Sequence, residues 1–388
     1  MKKMAKILEG VRILDLTHVY YGPYTTMFLA DMGAEVIKIE PPWGDETRFY
    51  APLYGGMSPV FLFFNRNKKG MTINLRHPKG KEIFFKLLKD ADIIVENFKP
   101  GTMERMGLGY EDLKKVKPDV IYATLSGFGQ TGPYSSRPSF APIAEAMSGW
   151  MMINRQAVDP KGPPIISSEW HGDLDPALFA TIAILGALFH KYRTGEGQLV
   201  DVAQYDCMIS QTGVSITRYL MRTREGEQPS PPQQTADRAI LRTFGLFKAS
   251  DGYVYIAADP RMRDRLLKGT GLEKLEKTEE LQEWVSKRPV KEVVEPLAAA
   301  DVPVGPVYEV SQTVEDLQTK ARNMIVSLQH PTAGMVRTPA FPIKFSKTPG
   351  EVLTPAPTLG QHNEEILSTF LRYSKEEIEA LRKEGVIT

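Results

Sequence analysis

The chain has 388 residues, 42% hydrophobic and 24% charged, the profile of an ordinary soluble protein with room for two domains or one large domain with an insertion. Its 48 Lys and Arg nearly cancel its 47 Asp and Glu, so no basic field for nucleic acid or an anionic membrane follows from the balance. The single cysteine, Cys207, excludes an internal disulfide, and no paired-thiol or zinc-type spacing is present, so no metal is expected.

The opening residues, MKKMAKILEG, lead into a strand-like segment without the apolar core of a signal peptide. The next elements read as β-α-β. VRILDLT (11–17) is rich in apolar and β-branched residues. GPYTTMFLADMGA (22–34) places Thr25, Phe28, Leu29 and Met32 on one helical face, with Gly33 as a stop. EVIKIE (35–40) is the second strand, ended by Pro41 and Pro42. The alternation then repeats: helix 79–89, strand 93–96, helices near 102–106 and 110–116, strand 120–125, a long helix after Pro176 and a strand at 198–204. Strands alternating with helices predict an α/β fold with a mostly parallel sheet covered on its faces.

The composition changes at 222–238, RTREGEQPSPPQQTADR, polar and proline-rich as a linker is. Beyond it, two β-rich runs flank Ser250-Asp251-Gly252, a hairpin signal, and helical stretches fill 261–300. The expected organisation is a large domain over 1–221, a linker over 222–240, a small α+β domain over 241–328, and a linker and C-terminal return over 329–388. In the last segment Ser374 and Glu377 form a capping box. The longest apolar run, 177–189, is shorter than a bilayer span and reads as a buried helix, so the expectation is a cytoplasmic protein without a membrane partner.

The residues that carry chemistry are few. The β-α-β start, with Glu40 ending the second strand, invites a dinucleotide reading, but THVYYGPYTT has one glycine and lacks G-x-G-x-x-G, so NAD is not expected. His18 directly follows the first strand, where α/β folds place ligands, or is simply a hydrogen-bonded loop histidine. NRNKKG (65–70), LRHPKGK (75–81) and NFKPGTMERMG (97–107) scatter cations that are either surface charge or a phosphate site. In HGDLDPALF (171–179), Pro176 suits a first helical position, which makes Asp175 the expected N-cap, worth about 1 kcal/mol. Asp173 then stands just outside the helix after Gly172, where backbone can approach a ligand closely. It is either a solvated acid or a nucleophile. No serine or cysteine motif accompanies His171 to make a triad, and Cys207 reads as a buried, inert thiol.

Taken in order, GVRILDLTHVYYGPYTTMFLADMGAEVIKIEPPWGDETR, FNRNKKGMTINLRHPKGKE, ADIIVENFKPGTMERMGLGYEDL, ATLSGFGQTGPY, GDLDPALFATIAILGALFHKYRTGEGQLVDVAQYD, DGYVYIA, PVGPVYEVSQTVEDLQTKARNMI and LGQHNEEIL resemble the class III CoA-transferase family (CaiB/BaiF type), whose relatives include α-methylacyl-CoA racemases. The resemblance implies a Rossmann-like large domain built from both chain ends, a smaller α+β domain and an interlocked homodimer. It implies acyl-CoA and carboxylic acid substrates, with coenzyme A carried as a thioester. Asp173 corresponds to the catalytic carboxylate, which attacks the thioester, forms a mixed anhydride and is converted to an aspartyl-CoA thioester. Backbone N–H groups at the helix start would then stabilise the tetrahedral oxyanions. CoA contacts carry over to His18, Val19, Ile73, Arg76, Asn97, Phe98, Lys99 and Arg105, and the acyl pocket to Tyr20, Phe140 and Glu145.

Three positions depart from the family pattern. Tyr20 replaces an active-site glutamine of formyl-CoA transferase, Pro41 replaces a cation that some members use on CoA, and PSPPQQTADRAILRTFG lacks a glycine-rich shielding loop. The racemase relatives carry a histidine where this chain has Phe140 in RPSFAPIAEAMSG. Phenylalanine accepts no proton, which favours CoA transfer and leaves Glu145 and His171 as the bases a racemase would need. A silent CoA-binding protein is the reading that an intact Gly172-Asp173 pair argues against.

Overall fold

The computed structural model describes residues 6–221 and 244–388. The linker expected at 222–240 and most of the loop compared above lie outside them. The chain divides into two compact units, Met1–Met221 with Asn323–Thr388, and Arg222–Arg322.

The larger unit is built on six parallel strands: β1 (Arg12–Asp15), β2 (Glu35–Glu40), β3 (Lys69–Thr72), β4 (Ile93–Glu96), β5 (Ile121–Ser126) and β6 (Leu199–Ala203). Their order is β3-β2-β1-β4-β5-β6, the Rossmann arrangement, which reverses direction between β1 and β4. Successive residues of a strand face opposite sides of the sheet, and this is visible residue by residue. Ile13, Val36, Ile93 and Val95 pack with Met27, Leu29, Ala177, Ala180 and Ile184 on one side. Leu14, Ile37, Met71 and Ile94 pack with Phe84, Leu87 and Leu113 on the other. The apolar runs read in the sequence are therefore strands buried on both faces, as a parallel sheet requires.

The helices of the first face are α1 (Tyr21–Asp31) and a 24-residue helix, His171–Thr194. The longer helix exceeds the apolar run seen in the sequence and is long and apolar enough to cross a membrane by length and composition alone, yet 39% of that window is buried in the protein. The second face is covered by the helix Pro78–Leu88 and by the chain's end. Helices Asn363–Thr369 and Lys375–Lys383 bring Ile366, Leu367, Ile378 and Leu381 into the same core as Leu14, and Val386 and Ile387 join it after the last helix. Ser374 and Glu377 form the reciprocal cap read from the sequence. The strand β3 was not legible there: KGMT is four residues long, contains glycine and has no period to detect.

The smaller unit has a three-stranded antiparallel sheet, β7 (Phe244–Lys248), β8 (Tyr253–Ala257) and β9 (Val304–Pro306), in sequential order around the Ser250-Asp251-Gly252 turn. Helices Arg263–Thr270, Thr278–Ser286 and Val290–Ala299 cover it, with Leu266, Leu281, Val285, Val293 and Leu297 in its own core. It ends at Arg322 rather than Leu328. Residues 325–328 belong instead to the hairpin of β10 (Ile325–His330) and β11 (Gly334–Pro339) in the larger unit. Cross-strand hydrogen bonds, not local composition, decide that boundary.

One buried side chain ties the chain's end to the sheet. Asn363 accepts from the Thr72 backbone N–H at 2.8 Å and donates to Thr72 Oγ1 at 2.9 Å and to the Thr388 carbonyl at 3.0 Å. Asn363→Ala leaves the Thr72 N–H unpaired in the interior, so we expect a loss of about 1–3 kcal/mol. Urea denaturation followed by tryptophan fluorescence should show a lower midpoint, and an unchanged midpoint would mean the C-terminal return adds nothing to this unit.

Candidate active site

The loops at the carboxyl ends of the parallel strands enclose a cleft of about 980 Å³. Ligands bind outside these ends in open α/β sheets because the chain diverges there and leaves a crevice. Its wall takes Ile73 and Arg76 after β3, Glu40 at the end of β2 with Pro41 and Trp43 after it, and His18, Val19, Tyr20 and Tyr21 after β1. Asn97, Phe98 and Lys99 follow β4; Ser126 ends β5, with Gly127 and Arg137 to Phe140 after it; Gln204 follows β6; and Asp173 is on the wall too.

The turn after β1, at the point where strand order reverses, is held from three sides. Asn97 Oδ1 accepts from the His18 N–H and Asn97 Nδ2 donates to the His18 carbonyl, both at 2.8 Å. Val19 is a β-branched residue at φ 71°, a sterically unfavourable conformation. Its N–H faces the Asp45 carboxylate at 3.3 Å. Lys38 Nζ, fully buried, donates to the Thr17 carbonyl at 2.8 Å and to Asp45 at 3.1 Å. Burial alone would raise the Asp45 pKa, but Lys38 beside it brings it down to about 2. Asn97 is thus chiefly a brace for the His18 backbone, with its acceptor and one N–H engaged there. Burial and the nearby Lys38 depress the His18 pKa, which favours a neutral imidazole.

Several cations read as a possible phosphate site are structural. Arg66 pairs with Asp31, and Lys68 with Asp15, at 2.7 and 3.0 Å, all four buried. Lys69 bridges Glu35 and Glu365. Arg105 lies off the cleft wall and donates to Thr102 Oγ1 at 2.9 Å. Arg76 and Lys99 remain as exposed cations on the wall. Glu40 accepts both Arg48 Nε and Nη2, at 2.7 and 2.6 Å, and the Asp45 N–H. The acid that a dinucleotide ribose would need is therefore already engaged.

The helix carrying Asp173 begins earlier than Pro176 led us to expect. Trp170 at φ 43°, ψ 59° turns the chain in, and His171 is the first helical residue. The Asp173 and Leu174 N–H groups bond to the Trp170 carbonyl at 2.8 and 3.1 Å. Asp175 is consequently not the N-cap. It lies one turn in, with His171 Nδ1 at 3.4 Å, and Pro176 sits inside the helix. Asp173 is in the first turn, where the helix dipole favours a carboxylate.

Gly172 gives close approach to protein rather than to a ligand. A Cβ there would stand 2.3 Å from the Ala141 carbonyl oxygen of the helix Ala141–Met147. From that same helix the fully buried Glu145 accepts the Gly172 N–H at 2.9 Å, and its other carboxylate oxygen has no partner among the described residues. Glu145 therefore backs the start of the Asp173 helix and does not line the cleft. The Gly172, Asp173 and Leu174 N–H groups are all engaged within the protein and are not free to meet an oxyanion.

Asp173 itself is buried, with one edge on the cleft. Gln204 Nε2 donates to Asp173 Oδ1, and Gln204 Oε1 accepts from Ser139 Oγ at 3.2 Å. Burial pushes the Asp173 pKa up to about 7, the Gln204 hydrogen bond opposes this, and the charge of Glu145 adds to it. Tyr20 and Phe140 line the same cleft, Phe140 being solvent-exposed and Tyr20 packed on Phe64 at 4.8 Å. Cys207 is buried and its thiol is pushed up to about 12, the inert state expected of it.

Gln204, Ser139 and Arg137 were not picked out from the sequence. Gln204 directly follows β6, and the strand-end rule that singled out His18 would have found it. Ser139 and Arg137 lie on an irregular loop with no period to read. No group of three His, Cys, Asp or Glu that could hold a metal occurs among the described residues.

Comparison with known proteins gives a consistent result. The profile of CoA-transferase family III matches residues 8–363. The chain is 36% identical to succinyl-CoA:glutarate CoA-transferase of Mus musculus, over 98% of this chain and 90% of that protein. It is 34% identical to formyl-CoA:oxalate CoA-transferase of Streptomyces coelicolor, over 99% and 100%. Among solved structures, a CaiB/BaiF family protein from Brucella suis superposes with a TM-score of 0.82 at 29% identity, over 94% of this chain and 99% of that one. With a Rossmann-ordered sheet, a cleft at its carboxyl edge, Asp173 on the cleft wall and a family profile over residues 8–363, the chain belongs to CoA-transferase family III.

Proposed function

We propose that this enzyme moves CoA from an acyl-CoA thioester to a free carboxylic acid through covalent intermediates on Asp173. The observation that carries the reading is a buried carboxylate on the wall of a large cleft, oriented by Gln204, in a chain of this family. A carboxylate oxygen of Asp173 attacks the thioester carbonyl carbon. The C–S bond breaks, leaving a mixed anhydride and CoA thiolate. The thiolate attacks the aspartyl carbonyl, releasing the first acid as its carboxylate and forming an aspartyl-CoA thioester. The acceptor carboxylate attacks that carbonyl and expels the thiolate again. The thiolate then takes the acceptor's acyl group and restores Asp173. No proton is gained or lost, and each intermediate survives only where water is kept out. Arg76 and Lys99 are suited to the CoA phosphates, and His18, Val19, Ile73 and Phe98 to the groove between them.

Alpha-proton exchange has little support. Phe140 offers no base, Glu145 is buried behind Gly172, and His171 does not line the cleft. Incubation with acyl-CoAs and free acids in D2O should yield new acyl-CoAs without deuterium at the α-carbon. Deuterium entry without acyl exchange would make this a racemase. Asp173→Ala should lower turnover by at least about 10³-fold while CoA still binds. Unchanged turnover of that variant would end the covalent mechanism.

The pKa of Asp173 has two consequences of defined sign. The nucleophile is the ionised form, so kcat/KM for the acyl-CoA should rise as pH passes upward through about 7. The folded-state pKa also lies above the ordinary value of 3.8, so holding Asp173 ionised costs stability above about pH 7, and that cost fades as pH falls toward 4. Asp173→Asn should therefore raise Tm more at pH 8 than at pH 5, and equal shifts would contradict a buried, perturbed carboxylate.

We also infer a homodimer. Along the helix His171–Thr194, Leu178, Ile182 and Phe189 form an exposed apolar stripe opposite the buried one, a surface a second protomer would cover. Sedimentation equilibrium should give twice the 43.5 kDa chain mass, and a monomer at micromolar concentration would refute this.

A further inference from the structure

Covalent transfer on Asp173 puts negative charge on one of that side chain's own oxygens, and among the described residues a single hydrogen-bond donor meets the carboxylate. That donor is Gln204. It begins the helix Gln204–Gln211 directly after β6, where the Tyr205 N–H bonds to the Gly127 carbonyl at 3.0 Å and pins the turn to the end of β5. The Gln204 side chain is buried, lines the cleft and donates from Nε2 to Asp173 Oδ1. Its other end, Oε1, accepts from Ser139 Oγ at 3.2 Å. A carboxylate offers acceptors only, so the NH2 end of the amide has to face it, and Ser139 keeps the amide that way round.

This bond makes the two carboxylate oxygens unequal. Oδ1 is held, while Oδ2 accepts no hydrogen bond among the described residues and is the oxygen left to attack. Once Oδ2 has bonded to the acyl carbon, Oδ1 is the carbonyl oxygen of the aspartyl group. CoA thiolate adds to Cγ and the carbonyl electron pair moves onto Oδ1. Its return breaks the Cγ–Oδ2 bond, so Oδ2 leaves with the first acid. The acceptor carboxylate adds to the same carbon, the pair moves onto Oδ1 again, and its return expels the thiolate. Oδ1 never leaves Cγ. Its charge is shared in the free carboxylate, small in the acylated states and full in both tetrahedral intermediates. Only an interaction that strengthens toward the transition state accelerates a step. A donor fixed on Oδ1 therefore speeds both substitutions at Cγ and not the first attack, in which Oδ1 loses charge. The Gly172, Asp173 and Leu174 N–H groups, committed elsewhere, leave this task to a side chain.

We propose that Gln204 is a catalytic residue whose Nε2–H is the oxyanion donor for the two substitutions at the aspartyl carbonyl, with Ser139 as the positioning residue that orients it. This rests on the CoA-transfer reading above.

The test isolates one such substitution. Protein is incubated with acetyl-, butanoyl- or succinyl-CoA, whichever the wild type turns over fastest, until the CoA adduct on Asp173 stops growing by mass spectrometry. Small molecules are removed and hydroxylamine is added. It attacks Cγ, leaves the Asp173 hydroxamate and releases CoA thiol, and because Asp173 is esterified its own ionisation does not enter. Gln204→Met, close in volume and without a donor, should react about 10²- to 10³-fold more slowly. Ser139→Ala should be about 2- to 10-fold slower, the worth of one neutral hydrogen bond. In infrared difference spectra with isotope-labelled aspartate, the thioester C=O stretch should lie at higher frequency in Gln204→Met than in the wild type, because a hydrogen bond to the oxygen lowers it. A wild-type rate in Gln204→Met overturns the proposal. So does a slower rate with an unmoved stretch, which would make Gln204 merely structural. If Gln204→Met fails to bind CoA by calorimetry, Ser139→Ala decides, and a wild-type rate with an unmoved stretch there overturns the proposal. Absence of any CoA adduct on wild-type Asp173 with every donor removes the covalent reading and this inference with it.

Discussion

Six charged side chains, five of them in or just after β1 and β2 and one, Lys68, immediately before β3, set the geometry on which the cleft depends. Asp15 holds Lys68, Lys38 holds Asp45, and Glu40 holds Arg48, all of them buried. Removing such charges from water is expensive, and only mutual pairing with further hydrogen bonds offsets it. Here the further bonds go to backbone: Lys38 to the Thr17 carbonyl, Asp45 to the Val19 and Thr47 N–H groups, and Lys68 to the Pro23 carbonyl. The network grips the turn between β1 and α1 on one side while Asn97 grips it on the other. A β-branched residue at positive φ persists only when its surroundings over-determine it, and Val19 is held in that way.

The same economy governs Asp173. In the mechanism proposed above Asp173 would have to be ionised to attack and its anhydride kept dry, and dryness raises a carboxylate pKa. The position near 7 is the compromise between burial and the Glu145 charge on one side and the Gln204 hydrogen bond on the other. Glu145 has a second effect, since it takes the Gly172 N–H and so fixes the start of the helix. Glycine at 172 is needed because the two helices touch backbone to backbone there. The Gly-Asp pair is thus one device: the glycine permits the contact that buries the acid beside it.

Much of the fold was legible in the sequence. Apolar strands with helices between them specify a covered parallel sheet, because a strand that is apolar on both sides must be buried on both faces and the intervening helices supply the cover. The capping box at Ser374 and the turn at Ser250-Asp251-Gly252 were readable for the same local reason. The helix start at His171 was not. Pro176 is a strong local signal for a first helical position, but Trp170 in a left-handed conformation and the packing of Gly172 on Ala141 outweigh it.

The sequence by itself determined the parallel sheet apart from β3, its two apolar faces and, through the ordered family motifs, the CoA-transferase family. Tertiary structure alone decided which charges serve the cleft. Arg66, Lys68 and Lys69 read as equal to Arg76 and Lys99 along the chain, and pairing with Asp31, Asp15, Glu35 and Glu365 removes the first three. It alone brought Gln204, 31 residues from Asp173, and Glu145, 27 residues from Gly172, to the same helix turn. Periodicity reports which face of an element is apolar. Which polar group meets which across the fold depends on burial and pairing between distant segments, and local pattern carries no record of that.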